Sequence, residues 1–280
     1  MVHKATQENE NDDVFPTYVL KNVDSAYQNY DIVPVVYITN QVLKAKGMVV
    51  ADLVVKIRNL INQISKKQFN KQHKLIQIDC DWTESTKNTY FELLNTLQKD
   101  FDIDVTIRLH QIKFKDRTGI PPVKTGTLML YNMGILKDTT QNSILQNSMV
   151  KQYINSETSY PLSLRIGLPI FSQTVVFNKD NKIKLIRNTE REVLANDTHF
   201  RQLDPLNFEI IKDTLYKGFF LSKGYRLKLE ELKATEIIAA YQTIKNSQLK
   251  TNEIIFYHLD KKSLLSIQIK DLISQLNPVN

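Results

Sequence analysis

Asp79 and Asp81 stand two residues apart in the segment Gln77-Ile78-Asp79-Cys80-Asp81-Trp82. In an extended strand, residues two apart share a face. Both carboxylates, with Gln77, therefore point one way, while Ile76, Ile78 and Cys80 point the other. Two carboxylates on one buried face repel, which raises the pKa of at least one. A carboxyl kept protonated near neutral pH can act as a general acid, and an ionised neighbour can stabilise positive charge. The next strand segment alternates Thr106, Arg108 and His110 with apolar residues, and Ser163 and Arg165 repeat the pattern further on. Asp79, Asp81, Arg108, His110 and Arg165 are expected on one interior. Two readings of that face stay open. It is an acid–base site, or it is a satisfied polar interior whose Asp–Arg pairs hold neighbouring strands in register.

Other residues with chemical capacity fall at expected strand ends. Trp82, the single Trp, follows Asp81; it is either a stacking platform for a sugar ring or a core residue. Tyr131 could donate a hydrogen bond to a substrate carbonyl and Asn132 could orient one, or both are buried and satisfied. His258 and Asp260 close the last strand, where a lone His is structural or catalytic. A metal site has little behind it. Asp79, Asp81 and His110 offer O and N ligands, but no HExxH or H-x-H spacing occurs and the arginines oppose a cation. No metal and no cofactor are expected. G-x-S-x-G, G-x-G-x-x-G and the P-loop pattern are all absent, which removes the main support for a serine nucleophile, a dinucleotide and a P-loop nucleotide.

These residues are carried by a regular alternation. Strand-like stretches fall at 32–39, 75–81, 105–110, 127–133, 162–171 and 253–260. Helical spacing of apolar residues falls at 49–64, 86–101, 143–154, 234–245 and 263–276. Strand–helix alternation implies parallel strands with right-handed crossovers. Between Ser172 and Glu230 the rhythm changes to short strands around turns, an antiparallel excursion before the last β/α unit. Residues 1–30 read as a polar, partly flexible N-terminal segment, and residues 31–280 as one domain with 172–230 inserted. Of 280 residues, 42% are hydrophobic, which supports a sizeable core and excludes disorder as the dominant state. One Cys excludes an intramolecular disulfide framework. No window reaches the roughly 18 apolar residues of a membrane helix. The net charge of +7 is spread along the chain, so a solvated surface is expected rather than a nucleic-acid groove.

The segments 32–40, 77–83, 106–111, 128–134 and 160–171, with the closing Phe256-Tyr-His-Leu-Asp260, resemble an uncharacterised bacterial family of glycoside-hydrolase-like TIM barrels. The resemblance runs over about residues 30–262. It implies an α/β fold, an incomplete or irregular (β/α)8 TIM-type barrel lacking the first two β/α units. The missing strands would leave sheet edges. Self-association would cover them, or Val14, Phe15, Tyr18, Val19 and Leu20 would cover one. Family members carry an exported N-terminus, which implies the cell envelope, yet residues 1–13 contain no apolar h-region of a signal peptide.

More distantly the chain is similar to the family 18 chitinase-type glycosidases, whose fourth strand carries D-x-D-x-E and sixth M-x-Y-D. Here those read Gln77-x-Asp79-x-Asp81 and Met129-x-Tyr131-Asn132. By this match Asp81 takes the general-acid position, Asp79 assists the substrate's N-acetyl group and Tyr131 donates a hydrogen bond to it. Gln77, Trp82, Arg108, His110, Asn132, Met133, Phe171 and His258 are the expected sugar contacts. The departures are an Asp81 one methylene shorter than Glu, with Gln77 and Asn132 in place of Asp. A shift of about 1 Å can cost about a hundredfold in rate. The expected function is a glycoside-hydrolase-like protein acting on a glycan, with a non-catalytic carbohydrate-binding or degenerate barrel as the alternative.

Overall fold

The computed structural model describes residues 2–5, 14–21 and 23–276. Along the chain the elements are β1 (Val2–Ala5), β2 (Val14–Tyr18), β3 (Val35–Ile38), α1 (Asn40–Lys44), α2 (Val50–Ile64), β4 (Leu75–Asp79), α3 (Lys87–Leu97), β5 (Asp102–Ile107), α4 (Leu109–Lys113), α5 (Lys115–Thr118), β6 (Thr125–Met129), α6 (Asn147–Tyr153) and β7 (Ser163–Pro169). Then follow β8 (Gln173–Phe177), β9 (Ile183–Arg187), α7 (Arg191–Asn196), β10 (Phe200–Gln202), β11 (Asn207–Ile210), β12 (Thr214–Tyr216), β13 (Phe219–Leu221), β14 (Arg226–Glu230), α8 (Ala234–Lys245), β15 (Thr251–Tyr257), α9 (Lys261–Ser266) and α10 (Ile269–Leu276).

The chain divides into two compact units. Unit 1 comprises residues 1–129, 158–165 and 248–253, and unit 2 comprises 130–157, 166–247 and 254–280. In unit 1 the strand order is β15-β7-β6-β5-β4-β3-β1-β2, with β7 and β15 contributing residues 163–165 and 251–253. The six parallel strands β3, β4, β5, β6, β7 and β15 are the six expected from sequence. Their β-branched runs bury Val36, Ile38, Ile76, Ile78, Val105 and Ile107. The order is linear, and closure into a barrel is not among the pairings of the described residues. Helix α2 buries Val50, Leu53, Val54, Ile57 and Ile61, spaced three and four apart. It packs on α3, which buries Tyr90, Leu93, Leu94 and Leu97. Of the polar opening, Val2–Ala5 is a strand. It runs parallel to β3 and antiparallel to β2, so one sheet edge is occupied from the N-terminal side.

Unit 2 holds the excursion, an antiparallel sheet in the order β10-β11-β14-β8-β9 with the small ribbon β12-β13. Its core gathers Val176, Ile186, Leu194, Phe200, Phe208, Ile210, Leu227 and Leu229. Helix α8 packs on α6 and α10. The expected closing helix 263–276 is two helices instead. Gln268 takes a left-handed φ of 51° between them, which ends α9 and starts α10. Asp260 is the N-cap of α9, its carboxylate accepting from the backbone N–H groups of Lys262 and Ser263 at 3.0 and 2.9 Å.

The segment after β6 is fixed at Gly134. The N–H groups of Met133 and Gly134 both donate to the Ser143 carbonyl at 3.0 Å. A Cβ on Gly134 would lie 2.8 Å from Ser143 Cα, a backbone atom with nowhere to go. Gly134→Ala is therefore expected to destabilise unit 2 by about 1–3 kcal/mol, read by chemical denaturation. An unchanged midpoint would contradict the close approach.

Candidate functional site

In unit 1 the polar face of the parallel sheet is built in two tiers. The lower tier centres on Asp104, whose side chain is fully buried. Its Oδ2 accepts from Gln77 Nε2 at 2.7 Å and Thr127 Oγ1 at 2.8 Å, and pairs with Arg165 Nη2 at 2.9 Å. Four strands, β4 to β7, are pinned in register by one carboxylate. Gln77 and Arg165 are therefore tied to the framework, as in the structural reading of the face. Asp104 itself lies on the alternation of Thr106 and Arg108, two residues further back, and that period-2 signal could have found it.

The upper tier holds the carboxylates expected from sequence. Asp79 ends β4 and its Oδ1 accepts from Thr106 Oγ1 at 2.7 Å. Asp81 lies just beyond the strand. Its two oxygens accept from Arg108 Nε at 2.6 Å and Nη2 at 3.1 Å, a bidentate ion pair. The Asp81 side chain is 45% exposed, so the pair faces solvent. Tyr37 on β3 stands opposite Asp79 in the strand register. Burial raises its phenol pKa first, and the charges of Asp81 and Asp79 raise it further. The turn carrying Asp81 is held by Asn40, which donates to the Asp81 carbonyl, and by Thr86 Oγ1, which donates to Asn40 Oδ1 at 2.7 Å. Gln111 accepts from the Arg108 N–H at 2.7 Å and so fixes the start of α4. Tyr37, Asn40, Thr86 and Gln111 were not legible as site residues, because each acts across strands or through backbone.

Two expectations change. The strand expected over 105–110 ends at Ile107, and His110 sits in helix α4, exposed. Strand alternation therefore does not aim it. Its imidazole pKa is lowered by desolvation first; the charge of Asp81 opposes this and that of Arg108 adds to it. Trp82 is a core residue at 1% exposure. Its ring stacks on Tyr90 with centroids 5.0 Å apart, and its indole N–H donates to the Thr118 carbonyl at 2.9 Å. A ring so enclosed offers no face to a sugar. Burial also pushes the Cys80 thiol up, which keeps it a protonated, inert neighbour.

Asp79 carries the shift that matters. Burial raises its carboxyl above the usual range. The Thr106 hydrogen bond opposes this, the Asp81 charge adds to it, and Arg108 opposes. A raised native pKa means the folded protein binds this proton more tightly than the unfolded chain. Stability then falls as pH rises from the ordinary Asp value through the native pKa of Asp79. Asp79→Asn removes that slope. Its stability should exceed wild type at neutral pH, and the difference should vanish in acid. Denaturation midpoints across a pH series check this; parallel curves would contradict it.

Unit 2 assembles a separate aromatic group. Tyr131, two residues past β6, stacks on Tyr257 with centroids 4.5 Å apart and planes 7° from parallel. Phe171, 5% exposed, meets Tyr257 edge-on at 5.6 Å, and His258 lies 5.8 Å from Phe171. His258 Nε2 pairs with Asp260 at 2.9 Å. Asn132 is exposed at a left-handed φ of 54°, a turn residue that lets the chain reverse after Tyr131. Met133 is half-buried and engaged through its backbone. Tyr257 was missed from sequence, although it lies inside the quoted closing segment.

Among the described residues, no group of three or more His, Cys, Asp or Glu is placed to hold a metal ion, and no helix is long and apolar enough to cross a membrane.

No family model matches the chain, and no curated protein sequence matches it. Among solved structures it is similar to the spore cortex-lytic enzyme SleL of Bacillus megaterium QM B1551, at 13% identity and a TM-score of 0.48. It is also similar to the C-terminal domain of a chitinase-type protein from Desulfitobacterium hafniense DCB-2, at 10% identity and 0.49. The SleL of Bacillus cereus gives 13% and 0.46. These matches cover 88%, 88% and 89% of this chain. The chain spans 61% and 60% of the two SleL structures and 78% of the chitinase-type domain.

Proposed function

We propose that this chain is a glycoside-hydrolase-like protein acting on a glycan at the carboxyl ends of β4 and β5. The supporting observation is the contrast between two neighbouring carboxyl groups. Asp79 is half-buried and its carboxyl is raised above the usual range, while the Asp81 side chain is 45% exposed and both its oxygens accept from the Arg108 fork. A raised carboxyl beside one that faces a guanidinium suits a division into an acid and a charge stabiliser. The geometry therefore favours roles opposite to those the chitinase resemblance implies. Asp79 gives its proton to the glycosidic oxygen as the C1–O bond breaks. Asp81 stabilises the positive charge that develops at the sugar. Water then adds to C1 and returns a proton to Asp79. Strand carboxyl ends are where parallel α/β sheets place their ligands.

A second reading has its own observation. Both oxygens of Asp81 already accept from Arg108, and Asp79 Oδ1 accepts from Thr106, as a binding site without turnover would have them. Mass-spectrometric detection of cleavage across chito- and other oligosaccharides separates the two. Products from folded protein support the hydrolase; saturable binding without products supports the binding protein. Neither products nor binding would overturn both.

A further inference from the structure

Unit 2 contains a cavity of about 690 Å³ that none of the strand-end carboxylates of unit 1 lines. Its volume falls in the range of small-molecule sites, about 300–1,000 Å³. It opens among the ends of β7 and β9, the start of α7, the β10–β11 turn and α9. The charges in its wall balance: Glu190, Glu192 and Glu231 against Arg191, Lys233 and Lys262.

The charged groups are also largely coupled to one another. Arg191 pairs with Glu231, Nε and Nη2 reaching Oε2 at 2.9 and 2.8 Å, and its Nη1 donates to the Pro205 carbonyl at 2.7 Å. Lys262 pairs with Glu190 and also donates to the Asn188 carbonyl at 3.0 Å. An ionic ligand that engaged one of these four groups would exchange one part-exposed pair for another, and such pairs are worth little, about 0–1 kcal/mol. A neutral polyhydroxyl ligand need break none. Each carboxylate keeps further lone pairs for hydroxyl donors, and the outer edge of each guanidinium or amide is a flat fork for vicinal hydroxyls. Ile170, Phe171, Leu206, Leu232 and Ile267 give the cavity the apolar wall that the C–H faces of a sugar need.

We propose that this cavity is a second saccharide site, one that takes a neutral oligosaccharide independently of Asp79 and Asp81. The proposal rests on the reading that the chain acts on a glycan, and it names a part of that glycan's recognition. Arg191 and Gln202 are the polar contacts, and Phe171 forms part of the apolar wall.

The test is equilibrium binding to the full chain, with chitotriose, cellotriose and maltotriose as neutral probes and trigalacturonate as the charged one. The expected result is saturable binding of a neutral trisaccharide, insensitive to salt. Arg191→Ala should weaken it about tenfold and Gln202→Ala about fivefold, and both losses should persist in an Asp81→Asn background. Gln202 is exposed, so its variant keeps the test open should Arg191→Ala fail to fold. Affinity that follows Asp81→Asn and ignores Arg191 and Gln202 would overturn the second site and leave the glycan reading standing. Tighter, salt-dependent binding of trigalacturonate would overturn the neutral ligand. No saturable binding of any probe would also overturn the second site, whereas the glycan reading is judged separately by cleavage.

Discussion

Lys228→Met is expected to cost unit 2 about 3–5 kcal/mol. Both Lys228 and Glu230 have side chains with no exposed surface, and their charged atoms lie 2.7 Å apart. Glu230 accepts from the Ser143 N–H at 2.7 Å, the Ser143 hydroxyl at 2.8 Å and Gln173 Nε2 at 2.7 Å. Lys228 donates to the carbonyls of Asp138 and Gln141 at 2.6 and 3.2 Å. The pair thus fastens the segment after β6 to β14. Removing the ammonium leaves a carboxylate buried with hydrogen bonds but no counter-charge, and that desolvated charge sets the size of the loss. Glu230→Gln strips the same pair from the other side. The double variant should cost less than the two single losses added, because neither charge then remains alone. Denaturant unfolding followed by the residues of unit 2 measures both. A single-variant loss below about 1 kcal/mol would mean the pair is not buried as described.

Asp79→Asn is expected to reduce glycan cleavage about 10²–10⁴-fold, the usual worth of a positioned proton donor. The amide is nearly isosteric and still accepts the Thr106 hydrogen bond through its oxygen, so the fold is retained and the loss reads on proton transfer. Asp81→Asn should lower the rate about 10²–10³-fold through charge stabilisation, and it also leaves Arg108 without its carboxylate. The two variants differ in their pH response. With Asp79 intact, the rate falls as pH rises through the native pKa of that group. In Asp79→Asn the residual rate loses this limb. Equal rates for wild type and Asp79→Asn, with matched melting curves, would remove Asp79 from the role.

Much of the scaffold was legible because its signals are local. The six parallel strands are β-branched runs bounded by turns, and α2 and α3 show their buried faces at three- and four-residue spacing. The change of rhythm at Ser172 marked the antiparallel sheet. Asp79 at the end of β4 and Asp81 just beyond it were singled out by alternation alone. What sequence did not give is mostly decided across strands. Alternation cannot tell that β5 stops at Ile107, so it carried His110 onto the sheet when a helix holds it. Residue type cannot tell a platform Trp from a core one; Trp82 is fixed by Tyr90 and by the Thr118 carbonyl, both distant in sequence. The pairings Asp81–Arg108 and Asp104–Arg165 join residues 27 and 61 positions apart, and only the sheet register chooses them. The charge-balanced cavity draws on five separate stretches of unit 2, and no single stretch announces it.

The most direct test of the acid–base division at β4 is the pH–rate profile of oligosaccharide cleavage by folded wild type beside folded Asp79→Asn. The account predicts cleavage by wild type that declines as pH rises through the native pKa of Asp79, and a variant slower by about 10²-fold or more that lacks this decline. No cleavage by the folded wild type, or a variant matching it in rate and profile, would contradict it.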